Sequence, residues 1–384
     1  MAPSGPILTP EPRGGKGIGR TRSSVGQRAA GGGQRAVGGG GQTGAVTSFA
    51  REPTLRRAWH AVARSIDLDA TPAPLAVTVC GEALVVWRAG DGRVVAAPDR
   101  CPHRQAPLSA GAIVDGRLQC CYHGWTFDGG GRCVVIPALD ADATIPGRAH
   151  LATVATQERY GLVWVCLEGP AAPLPHVPED DDGAFRRIVE PLAQWHVAAT
   201  RIVDNFLDVA HFPYVHAGTF GAAAQASVAP VTLEALGDFY GWRYEVRAAN
   251  AGAAAVASGQ ADDVVERAMT TGFSLPFLVR STIEYRASGL RHALLLVTTP
   301  IDDERSLFTF VVWRNDDRTV PDDEVVAFDR AIGAEDRSML ERVPGTLPLD
   351  ATTLVSTRAD RASLEWRRQL RAMLATVDGG LTPS

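Results

Sequence analysis

Short apolar runs separated by glycine and aspartate dominate the chain from Leu55 to about residue 168. Residues 75–79, 83–87, 94–97, 134–136 and 162–167 each read as a β-strand, and Gly90-Asp91-Gly92 is a hairpin signal between the second and third. Strands this short at this spacing predict a small all-β domain over 55–168, with loops at its hairpin tips. Pro170, Pro173, Pro175 and Pro178 then lead into the acidic run 179–182. That stretch, 169–183, reads as an exposed linker with a solvated acidic loop, and the domain boundary is expected there.

Beyond it, 184–384 mixes the two periodicities. Residues 281–285, 292–299 and 307–313 read as strands, the last two joined through 300–305. Residues 322–343 read as a helix with Pro321 near its start, and 360–374 as a final helix carrying Leu364, Leu370 and Leu374 on its packing side. The class is α+β. A chain of 384 residues is long enough for two domains with separate cores.

The first 50 residues are a different material. Glycine dominates, arginines are scattered, and Glu11 is the one acidic residue. So little apolar surface predicts disorder for 1–50. The segment lacks the apolar core of a secretory signal, and its glycine load argues against a transit peptide. Because the structured pattern begins only near Leu55, a translation start near Val37 or Val46 is expected.

Composition adds exclusions. A net charge of −5 gives no reason to expect nucleic acid as a partner. No run of about 18 apolar residues predicts a membrane span. Six cysteines do not make a disulfide framework, and thiolates that hold a metal suit a reducing, cytoplasmic interior.

The chemistry is concentrated in Cys101-Pro102-His103-Arg104 and Cys120-Cys121-Tyr122-His123-Gly124-Trp125, with sixteen residues between His103 and Cys120. Two thiolates and two imidazoles are the ligand set of a Rieske [2Fe–2S] centre, sulfurs on one iron and nitrogens on the other. A zinc finger pairs Cys with Cys and His with His along the chain, whereas here each short loop mixes the two. Cys120 rather than Cys121 gives the Cys-x-x-His spacing. Cys121 has no matching cysteine in the first loop, so no disulfide protecting the cluster is expected. Gly111 and Gly124 allow loop conformations that bulkier residues resist.

A second constellation is Asn205-x-x-Asp208-x-x-His211-x4-His216. Five residues on a regular helix would turn His216 about 140° away from His211. Both can face one metal only if the helix distorts or ends between them, and Pro213 supplies a reason. Asp208 would share a helical face with His211. Two histidines and one carboxylate form the facial triad of non-haem Fe(II) oxygenases. Candidate carboxylates on the predicted helix are Asp329, Glu335 and Asp336. His60, beside Trp59, reads as structural, and Asp204 as a polar residue at a helix start.

Cys101 to Gly111, with its Arg-x-Ala-Pro-Leu-Ser wording, and Cys120 to Trp125 resemble the oxygenase component of Rieske non-haem iron oxygenases. The resemblance is to the branch of vanillate O-demethylase, dicamba O-demethylase and pheophorbide a oxygenase. Cys121 departs from the proline common there. The resemblance covers Leu55 to the C-terminus and implies a helix-grip catalytic domain, an antiparallel sheet around a long helix. Such a sheet offers a half-enclosed apolar chamber for an aromatic substrate; Phe206, Phe212, Phe220, Phe273, Phe277 and Phe310 are candidates for its wall or for plain core. The resemblance also selects Asp336 as the third iron ligand, puts Asn205 near the iron, and makes Asp208 a bridge from His211 to a cluster histidine of a neighbouring subunit. Such a bridge implies a cyclic homotrimer. Electrons from NAD(P)H would arrive through a separate ferredoxin or flavin reductase, since no Gly-x-Gly-x-x-Gly follows a strand. The implied reaction is O2-dependent hydroxylation or oxidative demethylation. Two alternatives share these motifs: a cyclase or desaturase of secondary metabolism, and a Rieske electron-transfer protein with an inert second domain.

Overall fold

The computed structural model describes residues 48–376 apart from 141, 222–225 and 351. The expectations for residues 1–50 lie outside the described residues, save for the last three. Those three are packed onto the body: Ser48 Oγ and the Phe49 and Ala50 amides donate to the Asp303 carboxylate at 2.8, 3.2 and 2.7 Å. The folded pattern therefore begins ahead of Leu55.

Strands Leu75–Val79, Glu82–Arg88 and Val94–Pro98 form one antiparallel sheet. Successive side chains of a strand point to opposite faces, and here both faces are apolar. Leu84, Val86, Val94 and Ala96 face a core that also contains Ala199, Val203, Trp242, Phe277 and Trp366. Val85, Trp87, Val95 and Ala97 face a second core with Leu108, Leu118 and Phe127. The lobe carrying the cysteine loops has its own core, but the sheet beneath it is built into the C-terminal half. Backbone bonds reinforce the junction, with the Cys80 and Gly81 amides donating to Pro300 and Ile301 at 2.8 and 2.7 Å.

Strands Ala112–Val114, Arg117–Gln119, Thr126–Phe127 and Cys133–Val135 make a four-stranded sheet. Leu118 pairs with Phe127 and Gln119 with Thr126, so residues 120–125 are a hairpin tip, as expected. Residues 101–107 are not a hairpin tip. They lie on a crossover, because the strands before and after them belong to different sheets.

The connector also differs from expectation. Leu174 and Val177 are buried in an apolar cluster with Tyr160, Trp164 and Trp313, and the Tyr160 hydroxyl donates to the Pro175 carbonyl at 2.6 Å. Glu179, in the supposedly solvated run, is only 3% exposed. Arg280 Nη2 donates to both its oxygens, at 2.6 and 2.7 Å. A charge run reads as solvent-facing until its counter-charges, a hundred residues away, are known.

The C-terminal half is an eight-stranded sheet. Strands Phe239–Ala249, Val264–Ser274, Leu278–Tyr285, Leu290–Pro300 and Ser306–Arg314 pair antiparallel in sequence order. The first two are absent from the sequence expectation. Helix Asp322–Leu340 buries Val325, Val326 and Leu340 against Phe308, Phe310 and Val312 of the sheet. The final helix, Arg361–Ala375, docks through Trp366 and Leu370; the Trp366 indole donates to the Pro276 carbonyl at 3.0 Å. Among the described residues no helix is long and apolar enough to cross a membrane.

Candidate metal centres

The two cysteine loops are shaped by their own backbones. In the first, the Gln105 amide donates to Cys101 O at 2.9 Å and the Cys101 amide to Ala106 O at 2.8 Å. In the second, the Cys120 amide donates to Trp125 O at 2.8 Å and the Gly124 amide to Cys120 O at 3.1 Å. Gly124 has φ +68°, the left-handed region that favours glycine. Gly111 serves differently. Its φ is −87°, but a Cβ there would lie 2.1 Å from the Gln119 carbonyl oxygen, so space rather than conformation demands glycine.

These loops bring four side chains together. The rings of His103 and His123 lie 4.5 Å apart, and His103 stacks on Trp125 at 4.6 Å with 3° between the planes. Cys101 and Cys120 are buried, whereas His123 is exposed. Burial, with Cys120 close by, pushes the Cys101 thiol up to about 11. His103 Nδ1 is buried with no hydrogen-bond partner among the described residues. A buried imidazole nitrogen without a partner, beside thiols that need a cation to ionise, fits an iron–sulfur cluster. Cys121 stands apart: it is exposed, its Sγ 3.9 Å from the Pro107 carbonyl.

The second centre is assembled from two helical segments. Helix Ala199–Phe206 stops, and a separate turn, Phe212–Val215, follows with His211 and His216 as its two caps. Pro213 is in the first turn of that helix, where its missing N–H leaves no bond unmade. The break thus precedes His211 instead of falling between the histidines. Asp208 lies in the break, not on a shared helical face, yet His211 Nδ1–H donates to its Oδ2 at 3.1 Å and the Ala210 amide to its Oδ1 at 2.7 Å. Asp204 is near the end of its helix rather than the start, gripped by Arg367 Nε and Nη2 at 2.7 Å each.

The two Nε2 atoms converge. They are 3.1 Å apart, and they lie 3.5 Å (His211) and 3.4 Å (His216) from Asp336 Oδ1. The opposite nitrogen of each ring is held by a carboxylate, Asp208 for His211 and Glu335 for His216 at 2.9 Å. With Nδ1 protonated toward a carboxylate, each Nε2 presents a lone pair. Two lone pairs and a carboxylate oxygen at these separations repel one another unless a cation accepts them all, and their ligand atoms lie within 4.8 Å of one another. Asn205 Nδ2 donates to Asp336 Oδ1 at 2.9 Å. Burial raises the Asp336 carboxyl, against the pull of both histidines, and lowers His216. Burial would raise Asp208 as well, but the bonds and charge of His211 and the nearby amides outweigh it, and Asp208 is lowered.

The alternative carboxylates stand outside this convergence. Glu335 supports His216 and accepts from Thr219 Oγ1 at 2.9 Å. Asp329 Oδ2 lies 3.2 Å from His292 Nε2. The supporting part of Glu335 was not legible in the sequence; its only signal is that it neighbours Asp336. His60 is buried, its Nε2 bonded to the Leu55 carbonyl at 2.8 Å, and burial lowers it to about 4.

A largely apolar cavity of about 120 Å³ opens beside His211, His216 and Asp336. Phe206, Phe212, Phe220 and Phe310 line it, while Phe273 and Phe277 belong to the core. Tyr244, Arg267, Met269 and Thr271 of the two unpredicted strands also line the cavity.

Known proteins share both halves of this layout. The chain matches the Rieske [2Fe-2S] domain over residues 58–155 and the vanillate O-demethylase oxygenase C-terminal domain over 195–376. It is 30% identical over 330 residues to the methylxanthine N1-demethylase NdmA of Pseudomonas putida, covering 83% of this chain and 89% of that one. The chain belongs to the Rieske non-haem iron oxygenases. The solved structure of Pseudomonas putida NdmA with caffeine superposes with a TM-score of 0.74 at 29% identity, over 84% of this chain and 92% of that one. Dicamba O-demethylase of Stenotrophomonas maltophilia is 37% identical over 168 residues, 42% of this chain and 48% of that one. Rieske oxygenases of this kind carry the [2Fe–2S] cluster and a mononuclear iron, and receive electrons from a partner reductase. Membership establishes the chain as an O2-using oxidoreductase with the Rieske lobe followed by a catalytic α+β half.

Proposed function

We propose that this chain is the terminal oxygenase of a cytoplasmic Rieske system that hydroxylates or oxidatively demethylates an aromatic or related small molecule. In this reading Cys101 and Cys120 hold one cluster iron, His103 and His123 the other, and His211, His216 and Asp336 hold the mononuclear iron. When bound, the cluster supplies electrons singly and the lone iron supplies O2 activation. The chain's own residues do the rest. Asp208 and Glu335 fix the two iron-site imidazoles in the tautomer that turns Nε2 inward. Asn205 orients the Asp336 carboxylate. The phenylalanine walls exclude water from the chamber. The observation that carries the reading is the convergence of both Nε2 atoms on Asp336 Oδ1, each ring held from behind by a carboxylate.

Asp208 has a second part in this reading, as the link to a cluster histidine of a neighbouring copy in a homotrimer. Two exposed tyrosines support it: Tyr122, beside His123, is 61% exposed, and Tyr214, between the iron-site histidines, 71%. Exposed aromatic side chains next to both centres suit a contact that joins them. Electrons would come from NAD(P)H through a ferredoxin, a flavin reductase, or both.

The test is metal content and O2 uptake on the reconstituted full-length protein. The oxygenase reading expects about three irons per chain, a rhombic EPR signal on reduction, and O2 uptake that depends on one of a panel of methoxylated aromatics. About two irons, with no substrate-dependent O2 uptake, would reduce the chain to an electron carrier.

A further inference from the structure

Strand Val264–Ser274 carries Arg267 into the wall of the cavity. Arg267 is only 3% exposed. Its Nε and Nη2 are both buried, and neither has a hydrogen-bond partner among the described residues. Its surroundings are ring faces: the guanidinium carbon lies 5.6 Å from the Phe220 centroid and 5.5 Å from those of Tyr285 and Phe328. Asp329, which also lines the cavity, acts on it through space, and its Oδ2, 3.2 Å from His292 Nε2, likewise has no hydrogen-bond partner among the described residues. Nearby hydroxyls satisfy one another, Tyr244 with Thr271 at 3.1 Å and Thr271 with Ser281 at 3.3 Å. Burial pulls the guanidinium below its ordinary value, yet arginine keeps its charge in proteins.

An unpaired buried cation is costly, and buried polar groups nearly always have partners. The two orphaned donors are also a particular pair. Nε–H and Nη2–H point the same way, forming the edge that grips a carboxylate through two parallel bonds. The same chain shows that grip completed where Arg367 holds Asp204 through the same two atoms at 2.7 Å each. The open fork lies about one ring from the iron-site histidines, because Phe220 stacks on His216 at 5.1 Å and also has the Arg267 guanidinium 5.6 Å from its centroid.

We propose that Arg267 is the specificity-determining anchor of this pocket, and that the substrate is a single-ring compound with a carboxylate at the end remote from the oxidised carbon. This rests on the oxygenase reading of the cavity. The cation draws in the anion, the fork fixes its rotation, and the opposite end of the ring is presented to His211, His216 and Asp336.

The test is calorimetric binding to full-length, metal-loaded protein without O2 or reductant. The ligands are 3- and 4-methoxybenzoate and the two corresponding methoxybenzamides, which keep the shape and lose the charge. At least one acid binds about tenfold or more tightly than its amide in the wild type. Arg267→Gln erases that preference by weakening the acid far more than the amide, and Arg267→Lys keeps part of it. A wild-type protein that binds neither acid more tightly than its amide overturns the proposal, as does an Arg267→Gln variant that still prefers the acid. The wild-type comparison decides the matter even if the variants fold poorly. It needs no turnover, so it is scored apart from iron content and O2 uptake, on which the oxygenase reading stands.

Discussion

The chain positions two pairs of histidines, and it does so by opposite means. His103 and His123 sit on loops shaped by backbone hydrogen bonds, with a ring stack on Trp125 and an exposed edge at His123. His211 and His216 are shielded, and each is fixed by a carboxylate that holds its far nitrogen. On the proposed assignment, the difference follows from the work of each site. A group that accepts electrons from another protein must be reachable, and turns can aim it without burying polar side chains. A chamber for O2 chemistry must exclude water, and buried imidazoles then need partners of their own to fix tautomer and angle.

The sharpest way to break this comparison is to remove the carboxylate at the centre of the second pair. Asp336→Ala is expected to lose the mononuclear metal and all turnover, with iron falling from about three to about two per chain and the rhombic EPR signal retained. The mirror variant, Cys120→Ser, is expected to lose the cluster signal while keeping the buried metal, measured by iron content and by near-UV and visible absorbance. Retention of both metals in either variant would show that the two sites are not the separate ligand sets described.

Next in size is Asp208→Asn. Both metals are expected to stay while O2-dependent turnover falls about 10–100-fold; an unchanged single-turnover rate would remove Asp208 as the link between copies. Glu335→Gln is expected to weaken mononuclear metal affinity about tenfold with the cluster signal untouched, read by titrating the apo site. The smallest effect belongs to the first pair. Gly124→Ala asks an L-residue to adopt φ +68°, so stability is expected to drop by about 1–2 kcal/mol in denaturant unfolding, with the cluster more easily lost. A null result there would mean that something other than backbone shape aims His123.

The comparison also explains what was legible beforehand. Cluster loops are local, so Cys101, His103, Cys120 and His123 announce themselves by spacing alone. The proposed iron site joins positions more than a hundred residues apart, and only family resemblance singled out Asp336 from Asp329 and Glu335. Glu335 could not be read as the support of His216, because a carboxylate's partner across the fold leaves no local mark. Glu179 misled for the same reason: its counter-charge at Arg280 is distant in sequence. Strands Phe239–Ala249 and Val264–Ser274 went unread although residues such as Trp242-Arg243-Tyr244-Glu245-Val246 alternate, since arginines and glutamates interrupt any apolar run. One of those charged residues, Arg267, points inward on the face it shares with Val265 and Met269, although its charge reads as solvent-facing.

The sheet of residues 75–98 has no side turned to water that it could expose cheaply. The lobe of the cysteine loops and the core of the C-terminal half are therefore packed on the two sides of one slab. Cutting the gene between them should give neither a portable carrier nor a portable catalyst, only two sticky halves. Heating the intact chain should melt both at once.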